Sequence, residues 1–408
     1  MFDTGNTAFM LVATSLVMLM TPGLAFFYGG LVSRKNVLTI MMQSFVSLGW
    51  TTILWVTVGF TMCFGDDLGG IIGNGKYAFL RGISVDTPIS DVIAGSTSNI
   101  PLLVFAAYQM MFAIITPALI TGAFADRVNF KAYMLFLTVW LLFVYFPLVH
   151  MVWGGGLLAK WGVLDFAGGI VVHLSAGFAA LASVFYVGKR KMKPSRPHSI
   201  PLVAIGTALL WFGWYGFNAG SELQVDEVTA NAFINTDVAA SFAAITWLII
   251  SMIFEKKPKI LGMLTGAVAG LATITPAAGY VTVQTSMIIG VVAAIVCYIA
   301  IWFKNKRGWD DALDVWGVHG IGGFIGIIML GIASTLKVNS NGVDGLIFGG
   351  WAFFLKQLAA VTAVAVYAFA FTYGALWVIN KITRVKVPES AEEDLDKFEF
   401  EEEAYIEE

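Results

Sequence analysis

Long apolar stretches separated by short polar loops dominate this chain. They lie at about 7–32, 39–63, 101–123, 133–153, 166–187, 201–220, 236–254, 260–277, 283–303, 312–335 and 346–380. A helix of roughly 20 apolar residues crosses the hydrocarbon core of a bilayer. Only 12% of the 408 residues are charged, about half the share found in soluble domains. The pattern predicts an all-α polytopic membrane protein of about eleven transmembrane helices, the last long enough to tilt strongly.

Positively charged residues fall in alternate loops. These loops and the C-terminal tail together hold 19 of the 24 Lys and Arg residues. Because cytoplasmic loops carry the excess of Lys and Arg, we predict a multi-pass cell-membrane protein with an extracellular N-terminus and a cytoplasmic C-terminus. That orientation requires an odd number of spans, and eleven satisfies it.

The charge pattern changes after the last apolar stretch. Residues 1–380 form the predicted transmembrane domain, and residues 381–408 form a predicted cytoplasmic tail in which eleven acidic residues lie between Val387 and Glu408. Such a run is usually solvated on its own, but it can also fold back onto basic cytoplasmic loops. The candidate docking loops are those at 189–193, 256–259 and 304–307.

Two segments of the chain share the pattern D-x6-V-H-x3-G-F. They occupy residues 165–178 and 311–324, and they place His173 and His319 at the same position. Five spans separate the two copies, so the copies must run in opposite directions through the membrane. This arrangement is typical of inverted repeats, here spans 1–5 and 6–10, with the eleventh helix outside the symmetry.

Each histidine lies eight residues after the aspartate that opens its segment. That spacing is roughly 12 Å along a helix, which puts His173 just outside the bilayer midplane and His319 just inside it, with the imidazoles stacked along one axis. A buried neutral histidine can be satisfied by one helix–helix hydrogen bond. An ionisable residue at that depth is costly, however, and two symmetry-related ones favour a transport pathway.

The paired histidines fit three kinds of site: a polar track in an apolar pore, a transition-metal path, or the axial ligands of a haem. A metal path usually adds carboxylates or sulfurs, whereas the nearest acids, Asp165, Asp311 and Asp314, lie toward the helix ends. The surrounding Gly and Ala residues favour close helix packing rather than a haem cavity. We therefore predict a pore for a small solute, with no cofactor and no metal.

Other function classes lack their sequence signals. The chain contains no Walker loop, no GxSxG elbow and no HExxH motif, which argues against an enzyme. Its net charge is −3, without a basic face, which argues against a nucleic-acid partner.

Aromatic residues gather at the predicted outer ends of three spans. Trp153 ends the fourth span, Tyr108 and Phe112 lie in the outer half of the third, and Phe217 and Ser221 end the sixth. Ring faces can each attract a small cation by about 0.5–2 kcal/mol. The same residues are also typical of the aromatic belt at a lipid interface, and the pattern alone leaves both interpretations open.

Longer motifs resemble those of the Amt/Mep/Rh ammonium transporter family, and its Amt branch in particular. The resemblance extends from about Thr7 to Asn380. The motifs are, in chain order, PGLAFFYGG from Pro22, GAFADR from Gly122, WGGG from Trp153, DFAGG from Asp165, WFGWYGFNAGS from Trp211 and DVWGVHGIGG from Asp314.

The resemblance implies a homotrimer of eleven-helix protomers, each with its own pore for NH4+ or NH3. The residues that it assigns to an outer ammonium-recruiting site are Trp153, Phe112, Ser221, Tyr108 and Asp165. Those that it assigns to a gate and to the pore below are Phe112, Phe217, His173, His319 and Trp214. The implied function is recruitment of NH4+ outside and its conduction as NH3, with or without the proton; the alternative is an ammonium sensor with little flux.

The tail departs from the resemblance. Family tails read close to G-L-D-x3-H-G-E-x-A-Y, whereas residues 394–405 here lack both glycines and the histidine. The resemblance implies a PII-type signalling protein as a partner at the cytoplasmic face, and this departure bears on how such a protein docks.

Overall fold

The computed structural model describes residues 2–93, 96–192 and 196–405. Within them, ten helices are long and apolar enough to cross a membrane. A shorter apolar helix of 15 residues, Ile260–Ile274, packs with them. The eleven helices are α1 Thr4–Leu31, α2 Val37–Phe64, α3 Leu102–Phe124, α4 Phe130–Trp161, α5 Gly169–Val187, α6 Ile200–Glu222, α7 Glu227–Phe254, α8 Ile260–Ile274, α9 Val283–Arg307, α10 Trp316–Ala333 and α11 Trp351–Ile382. The predicted all-α polytopic membrane fold is confirmed.

Most helix ends lie within a few residues of the predicted spans, and three differ for local reasons. Helix α4 extends to Trp161 rather than ending at 153, because a short helical turn, Leu157–Trp161, follows the residues after Trp153. Helix α7 begins at Glu227 rather than near 236, because Asp226 and Thr229 form a capping box that starts the helix early. Helix α11 begins at Trp351 rather than at 346, because Gly349 has a φ of 93°, outside the helical region.

The two copies of the shared pattern fold alike. His173 lies in a π-helical turn, Gly169–Leu174, at the start of α5. His319 lies in an equivalent turn, Trp316–Gly320, at the start of α10. Such turns widen the helix locally and are frequent at functional sites.

Glycines of the pattern allow α5 and α10 to touch. A Cβ atom on Gly177 would overlap the backbone of Gly320. A Cβ atom on Gly323 would lie 3.0 Å from the Cβ atom of His173, closer than normal packing allows. The missing side chains therefore bring the two helices close enough for the histidines to meet.

A short hairpin follows α2 and is fixed to α4. Its strands, β1 Asp67–Leu68 and β2 Ile72–Gly73, pair antiparallel. The Nε2 atom of His150 lies 2.9 Å from Asp67 Oδ1, and Lys160 Nζ lies 2.5 Å from the other carboxylate oxygen. His150 thus has a structural role in holding this hairpin.

The tail folds back onto the bundle as an ordered cap. Its helix α12, Leu395–Phe400, lies at the start of α2. Asp396 accepts hydrogen bonds from the backbone N–H groups of Leu38 and Thr39, at 2.9 and 2.7 Å. A carboxylate at this place satisfies N–H groups that lack partners within the helix, so the tail is not the solvated run that its composition suggests.

The tail also contacts the first of the predicted basic loops. The fully buried Glu392 accepts a hydrogen bond from the backbone N–H of Lys191 at 2.7 Å, and Lys191 Nζ lies 3.5 Å from Glu389. The hydroxyl of Tyr405 lies 2.9 Å from His198 Nε2. Buried hydrogen bonds to the backbone therefore contribute to this contact alongside exposed ion pairs.

Within one chain, no hydrogen bond or ion pair joins residues 387–405 to the loops at 256–259 or 304–307. Contact of the tail with these two loops on a neighbouring protomer stays a prediction. Lys193 of the basic cluster and residues 406–408 of the tail lie outside the described residues.

Candidate functional site

Three cavities follow one another through the bundle. The outer cavity, on the predicted extracellular side, has a volume of about 250 Å³ and is lined by Trp153 and Asp165. The middle cavity has only about 10 Å³ and is lined by His173 and His319. The inner cavity has about 250 Å³ and shares His319 with the middle one. Two wide ends therefore flank one tight segment.

The outer cavity presents two ring systems and a hydroxyl. The indole Nε1 of Trp153 donates to the carbonyl oxygen of Asp165 at 2.8 Å, which fixes the ring at the wall. The ring of Phe112 lies 6.1 Å from it at 90°. The hydroxyl of Ser221 donates to the carbonyl of Phe217 at 2.9 Å, so its oxygen keeps lone pairs for a solute. This set suits a small cation that donates hydrogen bonds.

Tyr108 is placed differently from the other residues of the predicted recruiting site. It is fully buried and lies behind the wall of the outer cavity. Its hydroxyl lies 2.9 Å from the carbonyl oxygens of Gly216 and Phe217, and 3.3 Å from Ser221 Oγ. Its ring packs against Phe112 at 5.0 Å. The geometry supports a positioning role rather than direct contact with a solute.

Asp165 caps the helix that carries His173. Its two oxygens accept hydrogen bonds from four backbone N–H groups at 2.6 to 3.2 Å, those of Gly168, Gly169, Ile170 and Val171. Burial raises the pKa of the Asp165 carboxyl, and the four N–H groups oppose that shift. The carboxylate thus orders the start of α5 and places one negative charge at the cavity.

Two stacked rings separate the outer cavity from the middle one. The ring centroids of Phe112 and Phe217 are 4.2 Å apart, with an angle of 26° between the planes. Both side chains are almost completely buried. The stacked rings fill the space between the two cavities, and their role as a gate stays a prediction.

The two histidines meet in the middle cavity. Their Nδ1 atoms are 3.2 Å apart, and their rings are stacked at 5.2 Å. The indole of Trp214 stacks on His173 at 5.4 Å and donates to Thr275 Oγ1. Because one Nδ1 atom must accept the shared hydrogen bond, the two rings cannot both be imidazolium in this arrangement.

The middle cavity does not fit a haem. A porphyrin needs far more space than about 10 Å³ between the histidines. Across the described residues, no group of three or more His, Cys, Asp or Glu side chains is arranged to hold a metal ion. The carboxylates of Asp165 and Asp311 accept hydrogen bonds from N–H groups of their own helices.

The inner cavity is bordered by an ion pair that sequence reasoning missed. Lys304 looks like a loop cation in the sequence, but it lies on α9 and is only 4% exposed. Its Nζ is 2.7 Å from Asp314 Oδ1 and 2.7 Å from the carbonyl oxygen of Asp311. Asp314 lines the inner cavity with His319. A lysine at the end of an apolar stretch usually reaches for water, so its burial gives no sequence signal.

Further residues of the outer cavity were also missed. Gln109, Phe166 and Tyr280 line it, and the latter two rings pack edge to face at 5.5 Å. Gln109 had a signal in the sequence, because a polar amide within the apolar helix α3 indicates a functional or structural contact. Both aromatic residues lie in loops. Phe166 had a signal, because it is part of the DFAGG motif, whereas no motif includes Tyr280.

Comparison with known proteins gives sequence matches over nearly the whole chain. The sequence profile of the Ammonium Transporter Family matches residues 8–405. Ammonium transporter Amt1 of Archaeoglobus fulgidus is 47% identical over 371 residues, which is 90% of each chain. The ammonium transporter of Bacillus subtilis is 45% identical over 392 residues, covering 96% of this chain and 94% of its own.

Solved structures match equally widely. Candida albicans Mep2 superposes with a TM-score of 0.88 and 35% identity, over 95% of this chain and 87% of the Mep2 chain. A structure titled "Sensor Amt Protein" superposes with a TM-score of 0.86 and 27% identity, over 97% of this chain and 98% of its own.

Proposed function

The chain belongs to the ammonium transporter family, and on that premise we propose that it moves ammonium across the cell membrane through the three cavities. NH4+ binds in the outer cavity, loses a proton, crosses the middle cavity as NH3 and leaves through the inner cavity. The observation that carries the proposal is the succession of cavity volumes, about 250, 10 and 250 Å³, with paired histidines in the narrow one.

Recruitment relies on groups that replace water around the cation. The rings of Trp153 and Phe112 each supply about 0.5–2 kcal/mol of cation–π attraction. Ser221 accepts one hydrogen bond from the ion, and the buried charge of Asp165 acts through a medium of low dielectric constant. Tyr108 holds Phe112 and Ser221 in place through the contacts described above.

Selection follows from the apolar middle cavity. Moving a bare cation into such a space costs tens of kcal/mol by Born solvation. K+ and Na+ cannot discard their charge, whereas NH4+ can leave a proton behind and cross as NH3. The gate formed by Phe112 and Phe217 keeps hydrated ions out of this segment.

The paired imidazoles serve two steps. Each ring offers a hydrogen-bond partner to NH3 where the rest of the cavity wall is apolar. The Nδ1 contact at 3.2 Å also links the two rings, so a proton released on the outer side has a route toward the inner cavity. A current that accompanies nitrogen uptake identifies this route.

The direct test is electrical. Purified protein in proteoliposomes on a supported membrane receives pulses of ammonium, with K+ pulses as the control. The proposal expects a saturable ammonium current that K+ does not produce. Uptake of nitrogen without current would support conduction of NH3 and contradict transfer of the proton along the histidines.

A second candidate is an ammonium sensor with little flux. It is supported by the similarity to the structure titled "Sensor Amt Protein" and by the closed Phe112–Phe217 stack. Ammonium binding with neither current nor nitrogen uptake, in protein that remains folded, would favour this candidate over transport.

We further propose a homotrimer with its N-terminus outside, and a PII-type protein as a partner of the cytoplasmic face. Outward apolar side chains such as Phe212, Ile245 and Phe254 need lipid or neighbouring protomers to cover them. Native mass spectrometry in mild detergent should give three protomers, and pull-down with a PII-type protein should depend on the tail. A monomer, or binding that ignores the tail, would contradict these assignments.

A further inference from the structure

Both halves of the repeat hold the carbonyl group of their aspartate with a donor from the equivalent helix. On the outer side, Trp153 in α4 donates to the Asp165 carbonyl at 2.8 Å. On the inner side, Lys304 in α9 donates to the Asp311 carbonyl at 2.7 Å. Helices α4 and α9 are the fourth helices of the two repeats. The ammonium group of Lys304 therefore donates to the carbonyl oxygen that corresponds to the one bonded by the indole nitrogen on the outer side.

The ammonium group of Lys304 is buried between two oxygen acceptors. Its Nζ is held by one carboxylate oxygen of Asp314 and one backbone carbonyl, each at 2.7 Å. The Lys304 side chain is only 5% exposed, whereas that of Asp314 is 35% exposed and lines the inner cavity. Asp314 has a φ of 61°, a conformation that non-glycine residues seldom adopt, so the backbone there is held in an unusual conformation.

We propose that Lys304 is a specificity-determining residue of the inner half. Its side-chain ammonium group is a tethered occupant of an inner cation site, and it keeps Asp314 from binding NH4+ that enters from the inner cavity. Among the described residues, no Lys or Arg lines the outer cavity, so the outer site stays open to the substrate. This inference rests on the proposed function of ammonium transport.

The consequence is an inner face that does not retain the transported ion. Lys304 Nζ lies 2.7 Å from the carboxylate of Asp314, which lines the inner cavity. Without Lys304, this carboxylate would have no cation beside it within the residues that the structure describes. An unpaired acid in a partly buried wall attracts a small cation strongly. Ammonium on the cytoplasmic side would then fill the inner site and slow further transport.

The first test compares how strongly internal ammonium inhibits uptake by the wild type and by Lys304→Met. Right-side-out vesicles are loaded with increasing NH4+ or K+, and initial uptake of radiolabelled methylammonium is measured. For Lys304→Met we expect at least a tenfold lower internal NH4+ concentration for half-inhibition than for the wild type, with no such change for K+. The double variant K304M/D314N should lose the effect, because the acid is gone.

The matched controls are Lys306→Met and Lys304→Arg. Lys306 lies on the same helix, with its Nζ over the ring of Trp302 at 5.0 Å, and its loss should change nothing. Arginine keeps a cation at the site. If Lys304→Met transports with the wild-type response to internal NH4+, the inference is overturned while the proposed function stands. If the wild type takes up neither methylammonium nor ¹⁵N-ammonium, the proposed function fails instead.

A second test applies even if Lys304→Met folds poorly. Lys304→Ala removes three carbons and the nitrogen, which are the heavy atoms of n-propylammonium. That ion should raise the unfolding temperature of purified Lys304→Ala by several degrees, whereas 1-propanol should not. The wild type and Lys306→Ala should show no such gain. An equal shift in all variants, or none in Lys304→Ala, contradicts an ammonium site at this position.

Discussion

The outer and inner halves of the pathway share a backbone pattern but differ in the side chains at their cavities. In each half an aspartate caps the helix that carries a histidine. Six aromatic residues line the outer cavity, namely Phe64, Phe105, Phe112, Trp153, Phe166 and Tyr280. In the described part of the chain, the inner cavity has two such residues, Phe27 and Tyr28, besides His319. Ring faces attract cations, so the halves are built for different tasks.

This difference separates what the repeat supplies from what single residues supply. The repeat gives two antiparallel copies of one helix start and so brings the histidines together near the centre. The two halves differ at positions such as Trp153 and Lys304, which donate to the carbonyl groups of Asp165 and Asp311 from a ring nitrogen and an ammonium group. Substitutions that act on one half should therefore have unequal effects.

The largest effect is expected where the halves meet. His173→Ala combined with His319→Ala removes both polar groups from the middle cavity, and ammonium-driven current should fall to the background of empty liposomes. Either single change should abolish or uncouple the current, since each ring is the partner of the other. His198→Ala, outside the three cavities, is the control. Unchanged current and selectivity in the double variant would remove the histidines from the mechanism.

The capping aspartates give the next test of the comparison. Asp165 accepts four backbone N–H bonds, whereas Asp311 accepts two. The amide N–H group of an asparagine would face the backbone N–H groups that the aspartate now accepts from. Each N–H group left without an acceptor costs about 1–3 kcal/mol of stability. We expect Asp165→Asn to lower the current roughly tenfold or more, and Asp311→Asn to lower it less. Equal losses, measured beside unfolding temperatures, would mean that the halves do not differ at their caps.

Trp153→Leu should have a smaller effect. Loss of one ring face weakens recruitment by about 0.5–2 kcal/mol, or roughly 2- to 30-fold in the external ammonium concentration for half-maximal current. Trp302→Leu, an exposed tryptophan on the inner half, is the matched control. If the concentration dependence of Trp153→Leu equals that of the wild type, Trp153 belongs to the interfacial belt.

The tail should have the smallest effect on the pathway itself. Deletion of residues 387–408 removes the Asp396 cap from α2, so transport should fall less than tenfold or lose regulation while insertion and assembly persist. Because these bonds are buried, about 0.5 M NaCl should not release the tail, whereas exposed ion pairs are screened. Wild-type flux with a wild-type response to a PII-type protein in the truncated chain would make the tail a passive extension.

Local signals made most of the fold predictable. Apolar stretches indicate spans without knowledge of their neighbours, and the shared pattern placed His173 and His319 at equivalent points. The outer rings were predicted from the resemblance, and the structure brings Trp153, Phe112 and Ser221 to one cavity.

The features that the sequence did not predict depend on the direction in which side chains point. Helix α3 is apolar on nearly all sides, so its sequence does not tell that Tyr108 points behind the cavity. The burial of Lys304 depends on how the loop after α9 folds back to place Asp311 and Asp314 against its side chain. The docking of Asp396 depends on free N–H groups of α2, which charge patterns do not reveal.

The central claim is that this chain conducts ammonium through the three cavities. Its most direct test is uptake of ¹⁵N-ammonium by proteoliposomes, measured for the wild type, the His173/His319 double alanine variant and empty liposomes with excess K+ present. We predict saturable uptake by the wild type that K+ does not reduce, and background uptake by the variant. Wild-type uptake equal to that of empty liposomes, in folded protein that still binds ammonium, would contradict the account.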